Sequence, residues 1–326
     1  MLLDGRDPAA VAQAAEALAE GRLLAFPTET VYGLGARADD DDAVAAIFAA
    51  KGRPADHPLI VHVADAAGAA AFAARLTPLA ERLMAATWPG PVTLVVARRP
   101  GVAGAAAGGQ DSIGLRCPDH PVALALLAAA ATRGVPGVAG PSANRFGRVS
   151  PTTAAHVRDE FGPELAVLDG GPCGVGIESS IVDCRGERPV LLRPGGWTLA
   201  RLEAAAGQAF AARDASAPRV SGSLASHYAP RATVRLMPGP MLRTALGVLG
   251  DAAPGVAVYS RSPLPAPARG LRWRPMPATA EAAARELFAV LRDFDAEGMR
   301  LIWVEEPPPG PEWDGVRDRL QRAAAT

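Results

Sequence analysis

Arg22-Leu23-Leu24-Ala25-Phe26-Pro27-Thr28-Glu29-Thr30-Val31-Tyr32-Gly33-Leu34-Gly35 decides how this chain reads. An apolar run of strand length breaks at a proline and delivers Thr28, Glu29, Thr30 and Tyr32 into a glycine-punctuated loop, Tyr32 to Gly35. Ahead of it, Asp7-Pro8 reads as an N-cap with a first-turn proline, and the alanine-rich run to Glu20 closes at Gly21. Behind it, Asp39 to Asp42 open a helix where negative charge suits the dipole, and Ala43 to Ala50 carry it to Lys51 with Gly52 as its stop. Helix, strand, polar loop and helix in that order belong to an α/β sheet.

Working outward, Leu59 to Val63 is a strand, followed by helices near Ala66 to Leu76 and Leu79 to Thr87, the second broken by Trp88-Pro89-Gly90-Pro91. Strands follow at Val92 to Ala97 and Ser112 to Arg116, then a helix from Pro121 to Thr132 and a strand from Val135 to Ala139. After the Ser142/Asn144 loop come a helix from about Pro151-Thr152 and strands near Ala166 to Leu168, Ser180 to Asp183 and Val190 to Leu192. Strand pairs mixed with strand-helix units predict a twisted, mixed α/β sheet over residues 1–207. From about Gln208 to Arg231 periodicity stops, which reads as a linker. Residues 232–326 then alternate strand and helix, as a small parallel Rossmann-like domain does, but no G-x-G-x-x-G turn follows the first strand, so dinucleotide binding is not inferred.

Length and composition agree with two soluble domains: 326 residues, 49% apolar and 21% charged. The 33 basic and 34 acidic side chains, net −1, argue against bulk nucleic-acid or membrane-surface binding while leaving room for a local basic cleft. Cys117, Cys173 and Cys184 lack metal-ligand spacing and read as buried thiols of a cytoplasmic protein. No apolar stretch approaches the roughly 18 residues of a membrane span.

Two residue types occur once each. Lys51 is the sole lysine and Asn144, in Pro141-Ser142-Ala143-Asn144, the sole asparagine. A chain that writes arginine for every other fixed cation keeps one ammonium where a compact point charge with three donors is needed, as on a phosphate or carboxylate oxygen. A last-turn cation also caps helix carbonyls, but arginine does that equally well. Asn144 and Ser142 follow a strand at its carboxyl end, where α/β sheets bind ligands, so Lys51 and Asn144 are expected to share a site. Arg53 adds a second cation two residues on. Thr28, Thr30 and Tyr32 offer hydroxyls at another strand end, Arg116 and Arg193 each end an apolar strand, and His62 alternates with the apolar residues of its own. His227-Tyr228 stands out in the linker, as a domain-docking anchor or an active-site lid. The glycine-rich run Gly170 to Gly176 lacks a P-loop lysine.

Assembled, these residues resemble the two-domain threonylcarbamoyl-AMP synthases, in which a YrdC-like domain precedes a smaller C-terminal one. The resemblance rests on Phe26 to Leu34, Lys51-Gly52-Arg53-Pro54 with His57 to His62, Trp88 to Thr93, Gly114 to Pro118, Pro141 to Asn144, Glu178 to Asp183 and Leu192 to Gly195. The family's Lys-x-Arg and Ser-x-Asn signature falls on Lys51, Arg53, Ser142 and Asn144. The resemblance implies a concave active-site cleft and the reaction of L-threonine, bicarbonate and ATP to threonylcarbamoyl-AMP and pyrophosphate, serving adenosine 37 of certain tRNAs.

By the same resemblance, Lys51, Arg53, Ser142 and Asn144 take the phosphates beside Mg2+. Thr28, Tyr32, His62 and Ser180 form the threonine pocket, and Arg116, Pro141 and Arg193 lie on the nucleotide side. His227-Tyr228 belongs to a lid over the cleft. Ser221-Gly222 stands where the family has Pro-Gly, and Ser180 where threonine is commoner. A tRNA threonylcarbamoyl transferase is implied as the recipient of the product, with weak tRNA contact left open. Two rivals remain: an RNA-binding module, disfavoured by near-neutral charge and the lack of an aromatic platform, and a carbamoyl-phosphate-using domain of hydrogenase maturation factors, which carries zinc-finger-like cysteines absent here.

Overall fold

The computed structural model describes residues 1–222, 227–249, 253–264 and 268–325. They fall into two compact units, 1–146 with 150–222, and 147–149 with the described residues from 227 onward.

In chain order the first unit contains β1 (Leu2–Asp4), α1 (Pro8–Ala19), β2 (Leu24–Phe26), β3 (Gly33–Arg37), α2 (Asp41–Lys51), β4 (Ile60–His62), α3 (Ala66–Ala69), α4 (Pro78–Thr87) and β5 (Val92–Ala97). It continues with β6 (Ser112–Arg116), α5 (Pro121–Ala131), β7 (Val138–Ala139), α6 (Ala154–Phe161), β8 (Ala166–Asp169), β9 (Ser180–Asp183), β10 (Val190–Arg193) and α7 (Leu199–Ala206). The ten strands form one mixed sheet ordered β1-β8-β2-β3-β7-β4-β6-β5-β9-β10, as the alternation of strand pairs and strand-helix units predicts. β1-β8, β2-β8, β4-β6 and β5-β9 are parallel pairs and the others antiparallel.

Local chemistry sets the elements that matter for the site. The Asp40 side chain accepts from the backbone N–H of Asp42 and Ala43 and starts α2. Gly52, at φ +63°, ends it in the left-handed conformation, and the Arg53 N–H turns back to the Phe48 carbonyl at 3.0 Å. Lys51 is thereby fixed in the last helical turn and Arg53 just beyond it.

One face of the sheet, with Leu34, Val61, Leu94, Leu115 and Val182, packs into the main core against α2, α4, α6 and α7. The opposite face is covered by α1 and α5 over Leu24, Phe26 and Leu168. Farther along it carries a smaller cluster of Val95, Ile181, Leu192 and Val220. Register places Ile60 beside Gly114 and His62 beside Arg116, so by strand alternation these residues share the second face with Val95 and Thr93. A small cavity there is lined by Ile60, Thr93, Gly114, Ile181, Val220 and Ser221.

Several expectations change. Gly33 to Gly35 opens a strand rather than a loop, because the Phe26 ring lies about 3.0 Å from where a Cβ on either glycine would stand. β1 was not legible, being three residues paired with β8 far along the chain. The helix expected over 66–76 is regular only at Ala66–Ala69, and the strand expected over 135–139 only at Val138–Ala139. Residues 208–222 are stitched to the first unit rather than hanging as a linker. The Gln110 side-chain amide donates to the Arg219 carbonyl and accepts from the Arg219 N–H, and Val220 enters the core.

The second unit contains β11 (Thr233–Met237), α8 (Gly239–Val248), β12 (Val256–Ser260), β13 (Arg272–Pro275), α9 (Ala280–Ala296), β14 (Leu301–Glu305) and α10 (Asp314–Ala324). Its sheet, ordered β11-β14-β12-β13, is parallel throughout, as the strand-helix alternation predicts. α9 buries Leu287, Phe288, Leu291 and Phe294 along one stripe, each worth roughly 2 kcal/mol in water exclusion.

Candidate active site

Lys51 is 3% exposed, and its Nζ donates to the carbonyl of Ser142 at 2.6 Å and to the carbonyl of Asn144. The Phe146 N–H donates to the Lys51 carbonyl at 2.8 Å. The only lysine and the only asparagine therefore meet, through backbone, at one corner. Two further backbone bonds tie this loop to the one after β2: Leu34 N–H to the Pro141 carbonyl at 2.7 Å and Ala143 N–H to the Tyr32 carbonyl at 2.8 Å. Burial, with Arg53 beside it, pulls the Lys51 pKa well below its ordinary value.

Arg53 donates from Nη2 to the Pro58 carbonyl at 2.9 Å and to Ser221 Oγ at 3.4 Å. Arg193, 2% exposed at the end of β10, donates to the Ser221 carbonyl at 2.9 Å and twice to the Ser179 carbonyl, at 2.9 and 3.1 Å. Ser221 thus joins Arg53 to Arg193, and Lys51, Arg53 and Arg193 form one cationic side of the site.

A second cluster surrounds Arg116 at the end of β6. Its Nη1 donates to Thr30 Oγ1 at 2.8 Å, its Nε to the Gly90 carbonyl at 3.2 Å, and its Nη2 lies 2.6 Å from Glu29 Oε1 in an ion pair not aligned as a hydrogen bond. The Thr28 and Thr30 hydroxyls are 2.8 Å apart, and Thr28 also donates to the Val31 carbonyl at 2.6 Å. His62, the register partner of Arg116, is 3% exposed. Burial first, and the Arg116 charge second, bring its pKa down to about 3, so the imidazole is neutral at physiological pH.

Ser180 opens β9, its N–H donating to the Pro91 carbonyl at 3.0 Å. Its Oγ is buried without a partner among the described residues, as is His62 Nδ1. Tyr32 is fully buried, with its hydroxyl 2.7 Å from the Gly171 carbonyl and 3.1 Å from Asp169 Oδ1; burial pushes the phenol pKa up, so it stays protonated.

A Cβ at Gly195 would stand 2.3 Å from the Ser180 nitrogen and 2.7 Å from the Ser179 carbonyl carbon. Backbone cannot yield as a side-chain tip can, so Gly195→Ala must displace the start of β9. Overpacking of about 1–3 kcal/mol is expected, lowering the melting temperature by roughly 3–9 °C, and thermal unfolding of the purified variant checks it.

Sequence reasoning brought forward Lys51, Arg53, Ser142, Asn144, Thr28, Tyr32, His62, Ser180, Arg116, Pro141 and Arg193, and all lie in the first unit. It gave no role to Glu29, Ser179 or Ser221, although a carboxylate between two threonines after a buried strand is itself a signal. His227 and Tyr228 belong to the second unit. There the Tyr228 ring lies 5.5 Å from the Phe288 ring and under the guanidinium of Arg319, and the His227 N–H donates to the Arg322 carbonyl at 3.3 Å. Among the described residues no three His, Cys, Asp or Glu side chains converge on a metal-sized site.

Two family models match. One, described as telomere recombination and covering the Sua5, YciO and YrdC proteins, spans residues 16–195, and the other, the threonylcarbamoyl-AMP synthase C-terminal domain, spans residues 197–325. Threonylcarbamoyl-AMP synthase of Bacillus subtilis is 37% identical, over 99% of this chain and 94% of its own. That of Pyrococcus abyssi is 37% identical over 95% and 93%. The structure of P. abyssi Sua5 complexed with L-threonine superposes with a TM-score of 0.87 at 34% identity, covering 98% of this chain and 95% of that one. With both family models matched in order, and relatives aligned nearly end to end, the chain belongs to the two-domain threonylcarbamoyl-AMP synthase family.

Proposed function

We propose that the corner built on Lys51 is where this chain performs its family's reaction. Threonylcarbamoyl-AMP synthases are nucleotidyltransferases: L-threonine, bicarbonate and ATP give threonylcarbamoyl-AMP and pyrophosphate, for the t6A modification of tRNA. The threonine ammonium loses a proton, its amine captures bicarbonate as a carbamate with loss of water, and a carbamate oxygen attacks the α-phosphorus while pyrophosphate leaves. Both reactants are anionic, so the protein's task is to screen charge and hold geometry. Lys51 and Arg53, with Ser142 and Asn144, take the phosphates; Pro141, Arg193 and Arg116 border the nucleotide; Thr28, Tyr32, His62 and Ser180 surround threonine.

The observation that carries this reading is the buried Lys51 ammonium held on two carbonyls beside Arg53. A cation kept out of water at that cost in solvation has its best partner in an incoming anion. Mg2+ enters with the triphosphate and screens its charge. No helix among the described residues is long and apolar enough to cross a membrane; a product destined for tRNA is used where tRNA is, which supports a cytoplasmic enzyme. The mixed anhydride is labile, so its use implies a tRNA threonylcarbamoyl transferase that receives it. Purified protein is expected to release pyrophosphate from ATP only when both L-threonine and bicarbonate are present; release indifferent to threonine sinks the assignment.

Proton linkage offers an independent check. A lysine whose folded pKa is depressed carries a stability cost that is full below that pKa and is relieved as pH rises toward the unfolded value of 10.5. An anion on Lys51 raises its pKa again, so ATP binding is expected to take up a fraction of a proton at pH values between the depressed pKa and 10.5. Calorimetry in buffers of differing ionisation enthalpy measures this uptake, and its absence across the range counts against Lys51 as the phosphate ligand.

A further inference from the structure

The Arg116 cluster holds a carboxylate for which the reaction as described has no use. Glu29 is 8% exposed, and its Oε1 is paired with Arg116, while its Oε2 is buried with no partner among the described residues. A buried carboxylate oxygen left open is costly unless something not in the chain completes it. Two other open atoms lie along the same strand ends. His62 sits beside Arg116 in register, and its Nδ1 lies 3.0 Å from where a Cβ on Gly140 would stand, the glycine leaving space in front of the ring. Ser180 is joined to Arg116 through the Gly90-Pro91 turn, whose two carbonyls take Arg116 Nε and the Ser180 N–H.

The kinds of atom left open are informative. Glu29 Oε2 is an anionic acceptor. The neutral imidazole of His62 gives one ring N–H to the Val138 backbone, which leaves Nδ1 as an acceptor. Ser180 Oγ either gives or accepts. A ligand completing this set must bring more donors than acceptors and at least one positive charge. The carboxylate and phosphates of the substrates bring the opposite, and the adjacent Arg116 is already neutralised by Glu29. Of the groups on the three substrates, only the α-ammonium of the amino acid has three donors and a charge.

We propose that Glu29 is the residue that recognises the α-amino group of the amino-acid substrate, its Oε2 accepting from the ammonium while its Oε1 holds Arg116 in place. This deepens the synthase reading and rests on it. Glu29 selects α-amino acids against hydroxy acids of the same shape and fixes the nitrogen that, once it has lost a proton, captures bicarbonate.

The test compares wild type with Glu29→Gln by threonine-dependent pyrophosphate release, with 3-hydroxybutanoate, threonine without its amino group, as competitive inhibitor. The glutamine variant is expected to raise the KM for L-threonine about ten-fold or more, the scale of a lost charge-assisted hydrogen bond, with the KM for ATP and the inhibition constant of 3-hydroxybutanoate changed less than about three-fold. An unchanged threonine KM overturns the proposal. So does an inhibition constant for 3-hydroxybutanoate that rises in step with the threonine KM, which reports a pocket damaged as a whole. Should Glu29→Gln fail to fold, Glu29→Asp keeps the charge on Arg116 but withdraws Oε2 by one methylene, and is judged by the same ratios. Wild type without threonine-dependent release overturns the synthase reading itself, an outcome distinct from a normal wild type with an indifferent Glu29 variant.

Discussion

Lys51→Arg is expected to leave a folded protein whose pyrophosphate release falls by about 10²- to 10³-fold in kcat/KM, the loss seen when one preorganised electrostatic donor is taken from a developing charge. The substitution keeps the formal charge, so the expected loss comes from shape. The Lys51 Nζ occupies a gap between the carbonyls of Ser142 and Asn144, with Lys51 and Asn144 buried and Ser142 half-buried. A planar guanidinium is longer and wider than an ammonium, cannot seat a single nitrogen there, and overpacks the corner by about 1–3 kcal/mol. That strain moves loop 142–146, which is bonded to the Lys51 backbone as well, and with it Ser142 and Asn144. Melting is expected to drop by under about 10 °C, since about 3 °C accompanies each kcal/mol in a chain of this size. An arginine variant that keeps more than a tenth of wild-type kcat/KM would show that charge alone suffices, and the argument from a lone lysine would fall.

That argument shows what composition can tell about a site. In a chain with 33 basic residues, one lysine and one asparagine are conspicuous because the surrounding bias is strong, and they are found at one corner, although 93 positions apart in sequence. Elements with complete local signals were equally legible. α2 has its aspartate cap, its stripe of Val44, Ile47 and Phe48, and its glycine stop, and the second unit follows from simple alternation.

What was not legible depends on partners distant in sequence. Gly33-Leu34-Gly35 has no β-branched residue and reads as a loop, yet only glycine fits against the Phe26 ring across the sheet. β1 exists because β8 offers an edge. Residues 208–222 look like a linker from composition, but Arg193, Arg53 and Gln110 reach out to bind them. Tyr228, at φ +60°, is held in the second unit by Phe288 and Arg319, residues no local pattern connects to it. Glu29 was visible as a residue, and only the ion pair with Arg116 and the open second oxygen give it a task.

Arg193→Met carries the largest expected effect on stability. The Arg193 guanidinium is almost wholly buried and spans two segments. It donates twice to the Ser179 carbonyl, once to Ser179 Oγ at 3.2 Å, and once to the Ser221 carbonyl. Methionine matches the stem's bulk and apolar contacts but supplies no donor, so the cost is concentrated in the abandoned acceptors. The buried Ser179 carbonyl and the half-buried Ser221 carbonyl, left without these donors, cost about 1–3 kcal/mol each, offset in part because a buried charge has been removed, for a net loss of about 3 kcal/mol. At about 3 °C per kcal/mol this lowers the melting temperature by roughly 9 °C. The location of the damage matters more than its size. Ser221 loses its bond to Arg193 and with it the support of its contact to Arg53, so residues 208–222 are expected to become sensitive to limited proteolysis before the rest of the first unit. Ser179 carries Thr93 through a 2.8 Å hydroxyl pair and precedes Ser180, so the start of β9 loosens and threonine KM rises together with ATP KM. That joint rise would separate Arg193, which ties Ser179 to Ser221, from Glu29, whose expected loss is confined to threonine. A methionine variant that melts within about 2 °C of wild type, or is first cut elsewhere, would show that these bonds are dispensable and that 208–222 is held by Val220 and Arg219 alone.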